Sequence, residues 1–284
     1  MKRWLTRCLK FALGLALVFG LITCTTPLPT PKGVTVATRR VAVGEDSIAV
    51  DFYLPEKPPP GGAPLVVVAH GFSRDKRHMQ DWGNALAQRG MMAAVLTQPK
   101  YLGHRRNSRA IAALAELRPP ALPAATNGQI AYIGYSMGGL TTLLAATAVP
   151  PAAWVGLDPV EFGTRGEEAA RQISAPGLAL LAEKAPFNRY ANGLPMLAAY
   201  AGPMQVRRVR GAQHLDPEKP VDLLGQIACG RWNDARHGVF VRQGVGFLEA
   251  VFSGKAERMA AWRVALDEDA ALKTVPLPAA GGSR

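Results

Sequence analysis

The sequence is short of cysteine. Its three thiols, Cys8, Cys24 and Cys229 in 284 residues, are too few and too scattered for a disulfide framework or a zinc cluster. Acidic residues are scarce as well: 21 Asp and Glu stand against 33 Lys and Arg, a formal net charge of +12. Such a balance attracts anionic surfaces, phospholipid headgroups and polyanions among them. The basic residues are dispersed, however, and no basic run alternates with aromatics as a nucleic-acid groove would require, so no nucleic acid is expected as a partner and the arginines read as a scattered surface. No internal repeat is found, which excludes a repeat array.

Nor does any N-terminal run span a bilayer comfortably. Lys2, Arg3, Arg7 and Lys10 precede an apolar stretch from Phe11 to Ile22, the order of a secretory signal. No Ala-x-Ala cleavage site follows. Leu21-Ile22-Thr23-Cys24 resembles a bacterial lipobox, with Thr23 in place of the usual small residue. Residues 1–24 are therefore expected to direct export. The product would be periplasmic, membrane-anchored through a lipidated Cys24 or an uncleaved N-terminus, or secreted after ordinary cleavage. Residues 25–33, rich in Pro and Thr, would be a spacer, residues 34–253 one domain, and residues 254–284 a helix and a loose tail.

Within that domain, apolar alternation over Val34–Val43 and Ser47–Leu54 around Gly44-Glu45-Asp46 predicts an antiparallel hairpin. Continuous apolar runs at Leu65–Ala69, Met91–Thr97, Ile130–Ile133, Trp154–Leu157 and Leu178–Ala182 predict strands covered on both faces, and Met204–Arg210 is expected to be the last strand. Between them Met79, Trp82 and Leu86, then Ile111, Leu114 and Leu117, then Leu140, Leu143 and Leu144 recur at helical spacing. The alternation implies an α/β fold, a mostly parallel sheet with helices on both faces and the hairpin leading it. Phe240, Val241, Val245, Leu248 and Phe252 predict a closing amphipathic helix, and Met259, Trp262 and Leu266 one more.

The most informative stretch is Gly134-Tyr135-Ser136-Met137-Gly138-Gly139, between a buried strand and a helix. A serine presented at the top of a sheet sits on a sharp, strained turn, so its near neighbours must be small. Ser136 is the candidate nucleophile. A serine hydroxyl needs a base, and the base an acid to orient it. Of five histidines, His70, His214 and His237 compete for the base. His214 follows the Met204–Arg210 strand on the side where Ser136 emerges, His237 opens a helix, and His70 precedes the serine, where it would tie its loop down. For the acid, Asp158 stands at a strand end 22 residues beyond the serine, and Glu183 is the alternative one strand later. Asp158 is the candidate acid, the competing reading being a turn or cap aspartate before Pro159. The Phe72 N–H, after His70-Gly71, and the Met137 N–H are the candidate oxyanion donors.

With these residues the chain from about 34 to 253 resembles the α/β-hydrolase superfamily, and within it the small branch of dienelactone hydrolases, cutinases, chlorophyllases and platelet-activating-factor acetylhydrolases. Gly156-Leu157-Asp158-Pro159-Val160 is similar to the acid-bearing segment of chlorophyllases, and the elbow to that of cutinases. The resemblance implies a Ser136–His214–Asp158 triad that cleaves carboxylic esters through an acyl-enzyme. No metal or organic cofactor is called for, and the expected partner is a small-molecule or lipid ester. Lids in the superfamily commonly fill the segment between Asp158 and Leu178, which here holds about 20 residues, so an open site suited to hydrophobic or bulky esters is expected. Amide or peptide hydrolysis by the same triad, and a non-catalytic envelope protein of the same fold, are the alternatives.

Overall fold

The computed structural model describes residues 25–278 except 45, 101 and 119. The expected export signal, with Cys24, thus lies outside the described residues. Nine strands form one sheet: β1 (Val34–Val43), β2 (Asp46–Pro55), β3 (Ala63–Ala69), β4 (Met92–Leu96), β5 (Thr126–Tyr135), β6 (Ala153–Leu157), β7 (Gly177–Leu181), β8 (Met204–Val209) and β9 (Leu272–Thr274). Their order is β1-β2-β4-β3-β5-β6-β7-β8-β9. β1, β2 and β9 pair antiparallel with their neighbours, and β3 to β8 run parallel.

The continuous apolar runs explain that layout. β3, β4, β6 and β7 are buried at every position, as strands covered by helices on both sides must be. One face packs against α2 (His104–Ala115), α3 (Met137–Ala148), α4 (Arg165–Ala170) and α5 (Leu194–Ala198), through Ile111, Leu114, Leu143 and Met196. The other packs against α1 (Gln80–Gln88), α7 (Asp234–Phe252) and α8 (Ala256–Glu268), through Trp82, Leu86, Phe240 and Leu248. Each such side chain contributes about 1.5–3 kcal/mol by leaving water. Trp82 also sets the helix spacing: a Cβ on Gly244 of α7 would stand 2.9 Å from its ring, and its indole N–H donates to Pro217 O at 2.8 Å.

Two short pieces are tied to the domain in ways the sequence does not announce. Where the last helix is expected to give way to a tail, the helix ends at Glu268 and Leu272–Thr274 adds an edge strand beyond β8, with Leu272 and Val275 buried. Near the start, Thr25 is buried and the Leu28 N–H donates to Gln80 Oε1 at 2.8 Å. Both are short pieces whose partners lie far away in sequence, so local periodicity carries no sign of them. Among the described residues no helix is long and apolar enough to cross a membrane.

Candidate active site

β5 ends at Tyr135, and the chain turns into α3 through Ser136, whose φ of 54° and ψ of −120° lie outside the usual regions for a residue with a side chain. Hydrogen bonds hold the strained turn. The Ser136 N–H donates to Leu157 O at 2.9 Å, and Ser136 O accepts from Gly139 and Val160 at 3.0 and 3.1 Å. The glycines are required by space: a Cβ on Gly134 would lie 2.3 Å from Gly138 O, and one on Gly138 would lie 2.5 Å from Ala69 O.

Over this turn the fold brings together Ser136, His214 and Asp158. His214 Nε2 lies 3.0 Å from Ser136 Oγ, and His214 Nδ1 lies 2.6 Å from Asp158 Oδ2. All three side chains are buried. Asp158 ends β6 in the left-handed region, with φ at 43°. Its Oδ1 accepts the Ala182 N–H at 3.1 Å, and its Oδ2 accepts the Asn188 side-chain N–H at 3.0 Å as well as the bond from His214. With two N–H donors already on this carboxyl group, the bond from His214 places an imidazole proton on Nδ1 and leaves Nε2 to accept from the serine. Tyr135, beside the serine, donates its hydroxyl to His214 O at 2.8 Å and pins the histidine loop.

The other candidates sit elsewhere. Glu183 accepts from Lys273 at 2.8 Å and from the Gly211 N–H at 3.2 Å, so it has no place against His214. His237 pairs with Asp81 at 2.8 Å. His70 ties its loop down: Nδ1–H donates to Gly71 O at 2.7 Å and Nε2 accepts the Gln98 N–H at 2.9 Å. Gln98 in turn accepts from Thr141 of α3 at 2.8 Å. Burial brings the His70 pKa down to about 4, so the ring is neutral at pH 7, which suits an anchor.

Phe72 lies next on this loop, which approaches the serine closely: a Cβ on Gly71 would stand 3.1 Å from Ser136 Cβ. Phe72 and Met137 both line a cleft of about 650 Å³. Phe72, Tyr135, Ser136, Phe187, His214 and Leu224 line an adjoining cavity of about 290 Å³. The segment expected to lack a lid holds only α4 and its flanks. The cavity wall comes instead from Phe187 in the 3-10 turn Pro186–Asn188 after β7 and from one face of α6 (Leu223–Cys229) after His214, the face of Leu224, Gly225, Ala228 and Cys229. Cys229 is half-buried on that wall, and burial pushes its thiol up to about 11, too high for a reactive thiolate.

Sequence reasoning missed two groups. One is Asn188. The other is Arg74, whose guanidinium meets Glu218 at 3.1 Å and Asp222 at 2.8 Å, while Asp222 caps α6 through the Gly225 N–H. The pair joins the Phe72 loop to the segment following His214. Glu218 is buried with its pKa raised by that burial, and His78 adds a second contact to Asp222 at 3.2 Å. Partners 144 and 148 residues apart leave no local signal, although Asp222 two residues before an apolar Leu-Gly-Gln-Ile run is a recognisable helix cap.

A dienelactone hydrolase-like promiscuous phosphotriesterase from metagenomic libraries superposes with a TM-score of 0.61, at 18% identity over 77% of this chain and 99% of that one. The dienelactone hydrolase from Anabaena variabilis superposes at 0.52, with 18% identity over 69% of this chain and 95% of that one. The chain has the α/β-hydrolase fold. At this identity the likeness speaks for the fold alone, so the chain's chemistry has to be argued from its own residues. No protein-family model matches it, and no curated protein matches it by sequence.

Proposed function

We propose that the chain is a serine hydrolase that cleaves carboxylic esters. The observation that carries this reading is the unbroken relay Ser136 Oγ–His214–Asp158, at 3.0 and 2.6 Å, opening on a largely apolar cavity of about 290 Å³. Ser136 attacks the ester carbonyl while His214 Nε2 takes its proton. Asp158 holds the imidazole in the required tautomer and stabilises the imidazolium. The N–H groups of Phe72 and Met137 receive the oxyanion. His214 then protonates the leaving alcohol, and water, activated by the same base, releases the acid from the acyl-enzyme. Phe72, Phe187 and Leu224 around the serine favour a hydrophobic or bulky ester. The hydrolase names of the two solved chains of this fold agree with the reading. Export and anchoring at the N-terminus, by signal cleavage or through Cys24, would bring the enzyme to such esters outside the cytoplasm.

The test is initial rates on p-nitrophenyl esters from acetyl to palmitoyl, beside labelling with a fluorophosphonate. Ser136→Ala should lower kcat on the order of 10⁶-fold and abolish labelling, and Asp158→Asn should lower it on the order of 10⁴-fold. Folded wild-type protein that neither turns over nor labels would favour the non-catalytic reading, and faster cleavage of matched amides would favour amide hydrolysis.

A further inference from the structure

Large apolar side chains are exposed mainly at one edge of the molecule. Of eight such residues among those described, six lie on segments that follow the carboxyl ends of parallel strands: Phe72, Leu102, Phe187, Tyr190, Leu223 and Ile227. These ends share one edge of the sheet, the one that presents Ser136. Helix α6 shows the pattern most clearly. Leu224 and Ala228 face the candidate cavity, while Leu223 and Ile227, one turn apart on the other side, are 53% and 70% exposed. This seven-residue helix has apolar residues on both faces, and nothing among the described residues covers the outer one.

The apolar surface continues past the cavity. Phe187, 51% exposed, forms part of the cavity wall. Two residues on, Arg189 lines a shallow groove of about 770 Å³ together with Leu102, Arg105 and Arg165. Tyr190, between these features, is 66% exposed. The guanidinium of Arg189 lies over the Phe162 ring at 5.1 Å. Arg105 and Arg165 enter no ion pair among the described residues, and Glu168, also on the groove, accepts from Thr164 at 3.0 Å. Most carboxylates of this edge are buried or paired: Asp158, Glu161, Glu218 and Asp222 are buried, Glu183 pairs with Lys273 and Asp75 with Arg77, and Glu168 alone of the groove's lining is an exposed carboxylate. What the edge presents outward is therefore hydrocarbon bordered by guanidinium, on a chain of net charge +12.

We propose that this edge docks onto an anionic phospholipid bilayer, with α6 and the Phe187–Tyr190 segment in the acyl-chain boundary and Arg105 and Arg165 among the headgroup phosphates. The apolar side chains leave water on contact, and the arginines gain from the negative surface potential. Arg105, Arg165 and Arg189 stand on the groove against the single carboxylate of Glu168, an excess of positive charge beside apolar side chains that anionic headgroups over acyl chains complement. The proposal deepens the esterase reading, on which it rests for its purpose, by naming the surface from which the site draws its ester.

The test is co-sedimentation of the full chain with vesicles of phosphatidylcholine alone and with added phosphatidylglycerol, beside turnover of a soluble short-chain ester. Leu223→Ser/Ile227→Ser should weaken partitioning onto the anionic vesicles by roughly tenfold or more and leave the soluble turnover unchanged. Arg105→Gln/Arg165→Gln should lower the preference for phosphatidylglycerol, by about fivefold per arginine, and weaken its salt sensitivity. Residues 1–24 are common to every variant and cancel in the comparison. Ile227→Trp supplies a direct reading, since the emission it adds over wild type should be quenched by brominated lipid. Partitioning that is the same in all variants overturns the proposal, and so does added emission from Ile227→Trp that stays unquenched while the protein is vesicle-bound. A chain that docks as described yet cleaves no ester removes the esterase reading and leaves the surface standing. One that cleaves soluble ester and does not dock does the reverse.

Discussion

Asn188 donates to Asp158 Oδ2 across 3.0 Å, beside the 2.6 Å bond between that oxygen and His214. The same side chain donates to Glu183 O at 2.8 Å and accepts the Ala185 and Ala191 N–H groups at 2.9 and 3.1 Å. One buried amide thus shapes the segment that walls the cavity and holds the Asp158 carboxylate that meets His214. Three successive residues after it, Arg189, Tyr190 and Ala191, have φ between 49° and 63°, a left-handed path that is costly for residues with side chains and needs such an anchor.

Asn188→Ala should therefore lower kcat by on the order of 100-fold with KM little changed, because a misplaced imidazole costs the transition state and not the ground state. Steady-state kinetics on one p-nitrophenyl ester decide it. A rise in KM at constant kcat would assign Asn188 to the wall alone.

The elbow makes a second prediction. A methyl on Gly138 would meet the carbonyl oxygens of Ala69 and His70 at 2.5 and 2.6 Å. These are backbone atoms of the central strand and its loop, and neither can swing aside as a side chain would. Gly138→Ala should cost about 1–3 kcal/mol or more and displace the Phe72 loop, so urea unfolding and turnover should both suffer. Unchanged stability would mean that α3 can slide on β3.

Much of this was readable in the sequence because its signals are local. The hairpin alternates along both of its strands, β3, β4, β6 and β7 are unbroken apolar runs, and the elbow is a contiguous motif whose glycines answer a steric demand. His214 and Asp158 could be chosen because strand ends in a parallel sheet share an edge. What was not legible acts at a distance. Asn188 looks like any loop asparagine, Arg74 and Glu218 are joined only by the fold, and α6 is too short to show a period. β9 is three residues long, and only its contact with β8 makes it a strand.

That edge strand can be tested by itself. Leu272 is buried against the α7–α8 side of the sheet, and Leu272→Ala should cost roughly 2 kcal/mol by transfer and cavity terms together. Lys273 leaves the same strand to meet Glu183 at 2.8 Å, both side chains being about one-third exposed, so Lys273→Ala should change stability by less than about 1 kcal/mol. Equal effects from the two, read from chemical denaturation midpoints, would mean that the strand is held by its ion pair and not by its core contact.

The last prediction concerns acid. Burial lowers the His70 pKa from 6.5 to about 4, against the opposing pull of the Gly71 carbonyl and the Asp75 charge. Between those values the unfolded chain carries a proton at this site that the folded chain does not, so stability falls as pH falls through the window. It is fully present above pH 6.5 and lost near pH 4. The loss amounts to about 3 kcal/mol by the usual conversion, and protonation also breaks the acceptor bond at Nε2 that ties β4's end to the loop bearing Phe72. His78 acts in the opposite sense. Its burial is outweighed by Asp75 and Glu218, its pKa is raised, and its contribution is present at low pH and lost as pH climbs. The His70 effect is therefore read as a difference. Wild type should lose about 2–3 kcal/mol more than His70→Gln on going from about pH 7.5 to about pH 4.5, by urea denaturation at each pH. Equal losses would mean that the imidazole takes its proton without leaving its place, and that the loop owes its position to Gln98 and Arg74 instead.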